Sequence, residues 1–132
     1  LMKHKKPLRV PVTGGLKDIY SMDMRLAYQA ALLGQFNVLA FSRLAAAISV
    51  VRSALEQNQS QIPAAIETLD AAIGILMQVK SQGDESGLWA IGASDLPVVL
   101  NGIEMAEACI GTLDVMLLEQ TAAQLLQAIV GE

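Results

Sequence analysis

The sequence predicts an all-α protein: a bundle of four main helices with a long C-terminal helix and a disordered or extended basic N-terminal arm. Three observations carry this prediction. Apolar residues recur at alternating intervals of three and four along successive segments, the repeat of a helix face packed against neighbours. Ala and Leu, both strong helix formers, dominate a chain that is 53% hydrophobic before any glycine is counted. Typical domains reach about 45–50% with glycine included. Strictly alternating β-branched runs, the mark of half-buried strands, do not occur.

Residues 1–15 read as a flexible basic arm and residues 16–132 as a single helical domain. Lys3, Lys5, Lys6, Arg9 and Lys17 are five of the nine basic residues, and the first seventeen positions hold no acid. The other four basic residues stand against all 13 acids, so the net charge of −4 conceals a basic arm on an acidic body. Pro7 and Pro11 remove backbone donors and favour extended backbone before them. Thr13, Gly14 and Gly15 read as a joint.

The first helix is expected from Leu16 or Ser21 to Leu33, with Ser21 as a cap and Asp23 favoured by the helix dipole. Ile19, Met22, Leu26 and Leu33 share one face, while Tyr20, Met24, Tyr28 and Ala31 form a second apolar strip. A helix apolar on two sides is expected to be buried on both. Gly34 is its stop. The second helix is expected over residues 37–57, with Phe41, Leu44, Ile48, Val51 and Leu55 as a packing seam. Arg43, Arg52 and Glu56 fall outside that seam.

The third helix is expected over residues 63–80, opening on Pro63, whose missing N–H has no helical partner in a first turn. Ile62, Ile66, Leu69, Ile73 and Leu76 mark its packed face, and the run from Gly83 to Gly87 reads as a break. A short connector, Leu88 to Gly92, carries Trp89, expected to plug one end of the core. Ser94 is then expected to cap a helix over residues 95–130, about 50 Å long at 1.5 Å per residue. Leu96, Val99, Ile103, Ala106, Ile110, Leu113 and Leu117 keep phase along it, and Gly111-Thr112 is the place where it would break.

The chemistry-bearing residues are few. Thr13 to Lys17 contains Gly-Gly and a lysine but lacks the spacing of a phosphate-binding loop and a preceding strand. Glu104, Glu107 and Asp114 follow helical spacing, yet no histidine accompanies them on any helix, so a dinuclear carboxylate site lacks its nitrogen ligands. His4, the single histidine, stands among arm lysines rather than on a scaffold. Cys109, the single cysteine, reads as a small buried hydrophobe with no base beside it. No catalytic residue, metal or cofactor is assigned, and one cysteine implies no oxidising compartment.

The longest uncharged run, Leu26 to Ser42, includes Gln29, Gly34, Gln35 and Asn37, and no segment is expected to span a membrane. The reading is therefore a cytoplasmic, non-enzymatic assembly or adaptor protein that self-associates, most simply as a homodimer. Phe41, Leu44, Ile48, Leu113 and Leu117 are its candidate core or interface positions. The arm, with Lys3, Lys5, Lys6, Arg9 and Lys17, suits an acidic protein surface or nucleic acid as partner. The alternative is a small dimeric nucleic-acid-binding regulator acting through that arm. With one sign of charge, two prolines and no apolar period, residues 1–13 are expected to be dispensable for the fold. Deleting them is expected to leave the midpoint of thermal unfolding, followed by circular dichroism, nearly unchanged.

Overall fold

The computed structural model describes residues 14–57, 63–111, 113 and 121–124. Among these the chain is all-α: four helices, α1 (Gly14–Leu32), α2 (Val38–Gln57), α3 (Pro63–Ser86) and α4 (Leu96–Ile110), and no strand. Helices α2 and α4 touch each other and both remaining helices, whereas α1 and α3 do not meet. The broadest contact is between α3 and α4.

Helix α1 starts at Gly14, so Gly14 and Gly15 belong to the helix instead of forming a joint, and Ser21 lies inside it instead of capping it. Glycine costs a helix about 1 kcal/mol relative to alanine, a penalty that docking of the following apolar face can outweigh. Gly34 closes α1 as expected, at φ +70°, while the Gln35 N–H reaches back to the Ala30 carbonyl at 2.8 Å. Asn37 then caps α2 by accepting the Ala40 N–H on its side-chain oxygen at 2.8 Å. The seam read for α2 holds in full, since Phe41, Leu44, Ile48, Val51 and Leu55 are all buried.

Helix α3 departs from expectation twice. It runs on to Ser86, through the Gly83-Asp84-Glu85-Ser86 segment read as a break, and ends where Gly87 adopts φ +77°. A buried contact explains the glycine at 83: a Cβ there would lie 2.4 Å from the Trp89 ring. Trp89 folds back over that gap and packs on Phe41 with ring centroids 5.2 Å apart. The connector thus plugs the core as expected, but it needs the last turn of α3 as its seat. The buried face is also rotated. Ala65, Leu69, Ala72, Leu76 and Val79 are buried, whereas Ile66 and Ile73 are half-buried, and Ile62 lies outside the described residues.

That rotation follows from how closely α4 approaches. A Cβ added to Gly102 would stand 2.4 Å from the Ala72 Cβ, so glycine on α4 meets alanine on α3 with no room for another carbon. The small side of α3 therefore faces α4. Asp95, one residue after the expected Ser94, is the N-cap of α4, and Pro97 sits in the first turn. Val99, Ile103, Ala106 and Ile110 form its buried face as read. The helix stops at Ile110 with Gly111 as its C-cap, the break foreseen at Gly111. Leu113 is buried, its N–H bonding the Ile110 carbonyl at 3.2 Å. Residues 121–124 are helical again, with Thr121 buried. The described part of the helix expected over 95–130 thus ends at Ile110, and Asp114, Leu117 and residues 125–132 lie outside the described residues.

The Gly102–Ala72 contact generates a sharp test. Gly102→Ala should destabilise the protein by about 1–3 kcal/mol in urea unfolding, although alanine is the better helix former, because the neighbouring carbon cannot retreat without moving backbone. Combining it with Ala72→Gly should recover part of the loss.

Candidate interaction surface

Helix α1 divides its apolar residues between two faces with different fates. At 100° per residue, Ile19, Met22, Leu26 and Leu33 fall within an arc of roughly 60°. Tyr20, Met24, Ala27 and Ala31 lie on the opposite side. The second set faces the core: Met24 and Ala27 are buried, and Tyr20, Tyr28 and Ala31 are half-buried against it. The first set is uncovered, with Ile19, Met22, Leu26 and Leu33 each 59–61% exposed. The expectation that both faces are buried is therefore corrected within one chain, because α2 and α4 together cover only one side of α1. At the corner between α1 and α2, Leu32, Val38 and Leu39 are also more than half exposed.

A polar clasp fixes which face turns outward. The Arg25 guanidinium donates twice to Glu107 of α4, Nη2 to Oε1 at 2.6 Å and Nε to Oε2 at 2.9 Å. The Ser21 hydroxyl donates to the same carboxylate. Nearby, the Tyr28 hydroxyl donates to the Leu96 carbonyl at 3.3 Å. Fork-to-fork pairing of this kind is directional. Rotating α1 to bury the Ile19–Leu33 stripe would break it. Hydrogen bonding from Arg25, reinforced by Ser21, holds the Glu107 carboxyl below its ordinary range against the opposing effect of burial. A second clasp joins α2 to α3: Arg52 donates to both oxygens of Asp70, at 2.8 and 3.3 Å, and also pairs with Glu56 one turn on. Sequence reading left Ser21, Arg25, Arg52 and Asp70 without partners. Each pair joins different helices, and no local spacing signals it.

The other candidate residues fall as follows. Phe41, Leu44, Ile48 and Leu113, read as core or interface positions, are buried in the core, and Leu117 lies outside the described residues. Lys17 is exposed near the start of α1, while Lys3, Lys5, Lys6 and Arg9 lie outside the described residues. Cys109 is buried, and that burial pushes its thiol pKa up, away from the thiolate a nucleophile needs. Glu104 is exposed, and no group of three potential metal ligands converges among the described residues. An open depression of about 360 Å³ between α3 and α4 is lined by Ala64, Glu67, Thr68, Ala71, Val98 and Asn101. It pairs no nucleophile with a base.

Helix α2 is long and apolar enough by length and composition to cross a membrane, which a count of uncharged runs missed. Yet it is the helix whose Phe41, Leu44, Ile48, Val51 and Leu55 form the middle of the core. The chain matches no family model, no curated protein and no solved structure.

The clasp makes acid stability predictable. Because the folded Glu107 carboxyl has a depressed pKa, the unfolded chain binds more protons near the ordinary carboxyl value of about 4.3. The clasp's contribution is therefore complete above that value and lost as pH falls through the folded one. Glu107→Gln should cost about 1 kcal/mol at neutral pH, and its stability should fall less steeply than wild type below about pH 4. Urea unfolding across pH 3–7 (roughly the window of carboxyl titration) checks both halves.

Proposed function

We propose that this chain is a non-enzymatic helical assembly or adaptor protein of the cytoplasm that self-associates, most simply as a homodimer, and uses its basic arm to engage an anionic partner. The observation that carries the reading is the exposed stripe of Ile19, Met22 and Leu26 on α1, continued by Leu33 just past its end. Large apolar side chains at helical seam spacing are costly to leave in water, and contiguous patches of this kind mark interaction sites. Phe41, Leu44 and Ile48 serve the core in this reading, and the interface moves to α1. In the same reading the fold is a helical bundle extended past Gly111 by a further C-terminal helix. Buried Thr121 and helical residues 121–124 support that extension, as does the 3.4 Å bond from Gln57 to Gln124.

A second reading, a small dimeric nucleic-acid-binding regulator, draws support from the segregation of Lys3, Lys5, Lys6, Arg9 and Lys17 away from every acid. Counterion release by these side chains would make binding fall steeply with salt and vary little with sequence. The acidic body opposes broad wrapping by nucleic acid, which is why this reading stands second.

Sedimentation of the wild-type chain should give a mass near twice 14.0 kDa at micromolar concentration. Leu26→Glu should yield a folded monomer, since Leu26 is 59% exposed and its loss removes no core packing. A monomeric wild type would overturn self-association.

A further inference from the structure

We infer that the partner on the α1 stripe is a second copy of this chain, docked antiparallel about a two-fold axis near Leu26, so that the two basic arms leave from opposite ends of the pair. This inference rests on the self-association reading and adds the geometry that reading leaves open.

The spacing comes first. Ile19, Met22, Leu26 and Leu33 stand at intervals of three, four and seven, and Gln29 takes the remaining seam position. This is the repeat that lets two helices interlock along a shared line. The exposed apolar surface is concentrated there. These four side chains, with Leu32, Val38 and Leu39 at the corner, are seven of the nine large apolar side chains left exposed among the described residues, the kind of surface that a standard interface, ~800 Å² from each partner, covers. A patch of this spacing, apolar except at Gln29, fits an isologous contact, in which one surface meets its own copy.

Charge then selects direction. Lys3, Lys5, Lys6 and Arg9 precede α1 directly in the chain, and Lys17 sits in its first turns. Asp18 and Asp23 flank the N-terminal half of the stripe, while the C-terminal half, from Ala27 to Leu33, carries no charge. A parallel pair would set two basic arms side by side and bring Asp18 and Asp23 near their own counterparts, with the helix dipoles aligned. An antiparallel pair separates the like charges and opposes the dipoles. It lays the charged half of each α1 beside the neutral half of the other. Ile19 then falls opposite Leu33, and each α1–α2 corner meets the N-terminal half of the neighbouring α1. With the axis at Leu26, twelve residues on from the start of α1 at Gly14, the two arms would start about 36 Å apart along the helices, at 1.5 Å per residue. Such a pair offers two cationic tethers to one extended anionic partner.

Engineered cysteines distinguish the directions. Ile19→Cys and Leu33→Cys replace exposed residues, and the wild-type chain, whose Cys109 is buried, sets the baseline for oxidation. A mixture of the two variants, one carrying a mass tag, should form the tagged–untagged disulfide at least about tenfold faster than either variant crosslinks with itself, because only opposed positions bring Cα atoms within disulfide reach. Equal or faster crosslinking of Ile19→Cys with itself would overturn the antiparallel geometry and leave self-association standing. A dimeric wild-type mass with no mixture above baseline would place the contact on another face and overturn the inference alone. A monomeric wild-type mass would overturn both readings. If that monomer also co-sedimented with vesicles of anionic phospholipid, and Leu26→Glu abolished it, the stripe would belong to a lipid surface.

Discussion

The close approach of α3 and α4 at Ala72 and Gly102 is the constraint on which the rest of the arrangement depends. No second carbon fits between them. Two helices brought together through small residues gain backbone and side-chain dispersion along their length, and they fix each other's rotation. Once α3 presents Ala72 to α4, its Leu69 and Leu76 turn toward the middle of the molecule. There α2 supplies Leu44, Ile48 and Val51, all fully buried. Ile66 and Ile73 are left at the margin for the same reason. A larger residue at either contact would spread this pair and disturb every layer built on it.

Helix α1 is the element with the least cover. It leans on α2 and α4, does not reach α3, and is locked by the Ser21–Arg25–Glu107 clasp with its Ile19–Leu33 stripe facing outward. Exposed ion pairs contribute little to stability on their own, typically about 0–1 kcal/mol. A bidentate arginine that also orients a helix has a second effect: it decides which of two apolar faces enters the core. The Met24–Ala27 side is the one in the core, with Tyr20, Tyr28 and Ala31 half-buried beside it. The Ile19–Leu33 side stays exposed. Core packing thus occupies only one of the two apolar faces of this helix.

Much of the fold was legible in the chain because it follows from local periodicity. The α2 seam, the α4 seam to Ile110, the stop at Gly34 and the break at Gly111 all correspond to residues in the structure. Helix ends were read less well where glycine has a packing role. Gly83 looked like a breaker, but it is a helical residue that admits the Trp89 ring, a contact that closes only after the chain reverses direction. The two apolar faces of α1 were also legible. Which one is covered was not, because the answer lies on α4, more than 80 positions away from Ser21 and Arg25.

By itself the sequence determined the helical class and the separation of a basic N-terminal segment from an acidic remainder. These depend on composition and on spacings of three and four residues, which act within a single helix turn or two. Tertiary structure alone decided the rotation of α3 and the outward turn of Ile19, Met22, Leu26 and Leu33. Those outcomes depend on which helices can approach most closely and on which distant carboxylate meets Arg25. Steric fit and ion pairing between remote segments leave no periodic trace in the chain that encodes them.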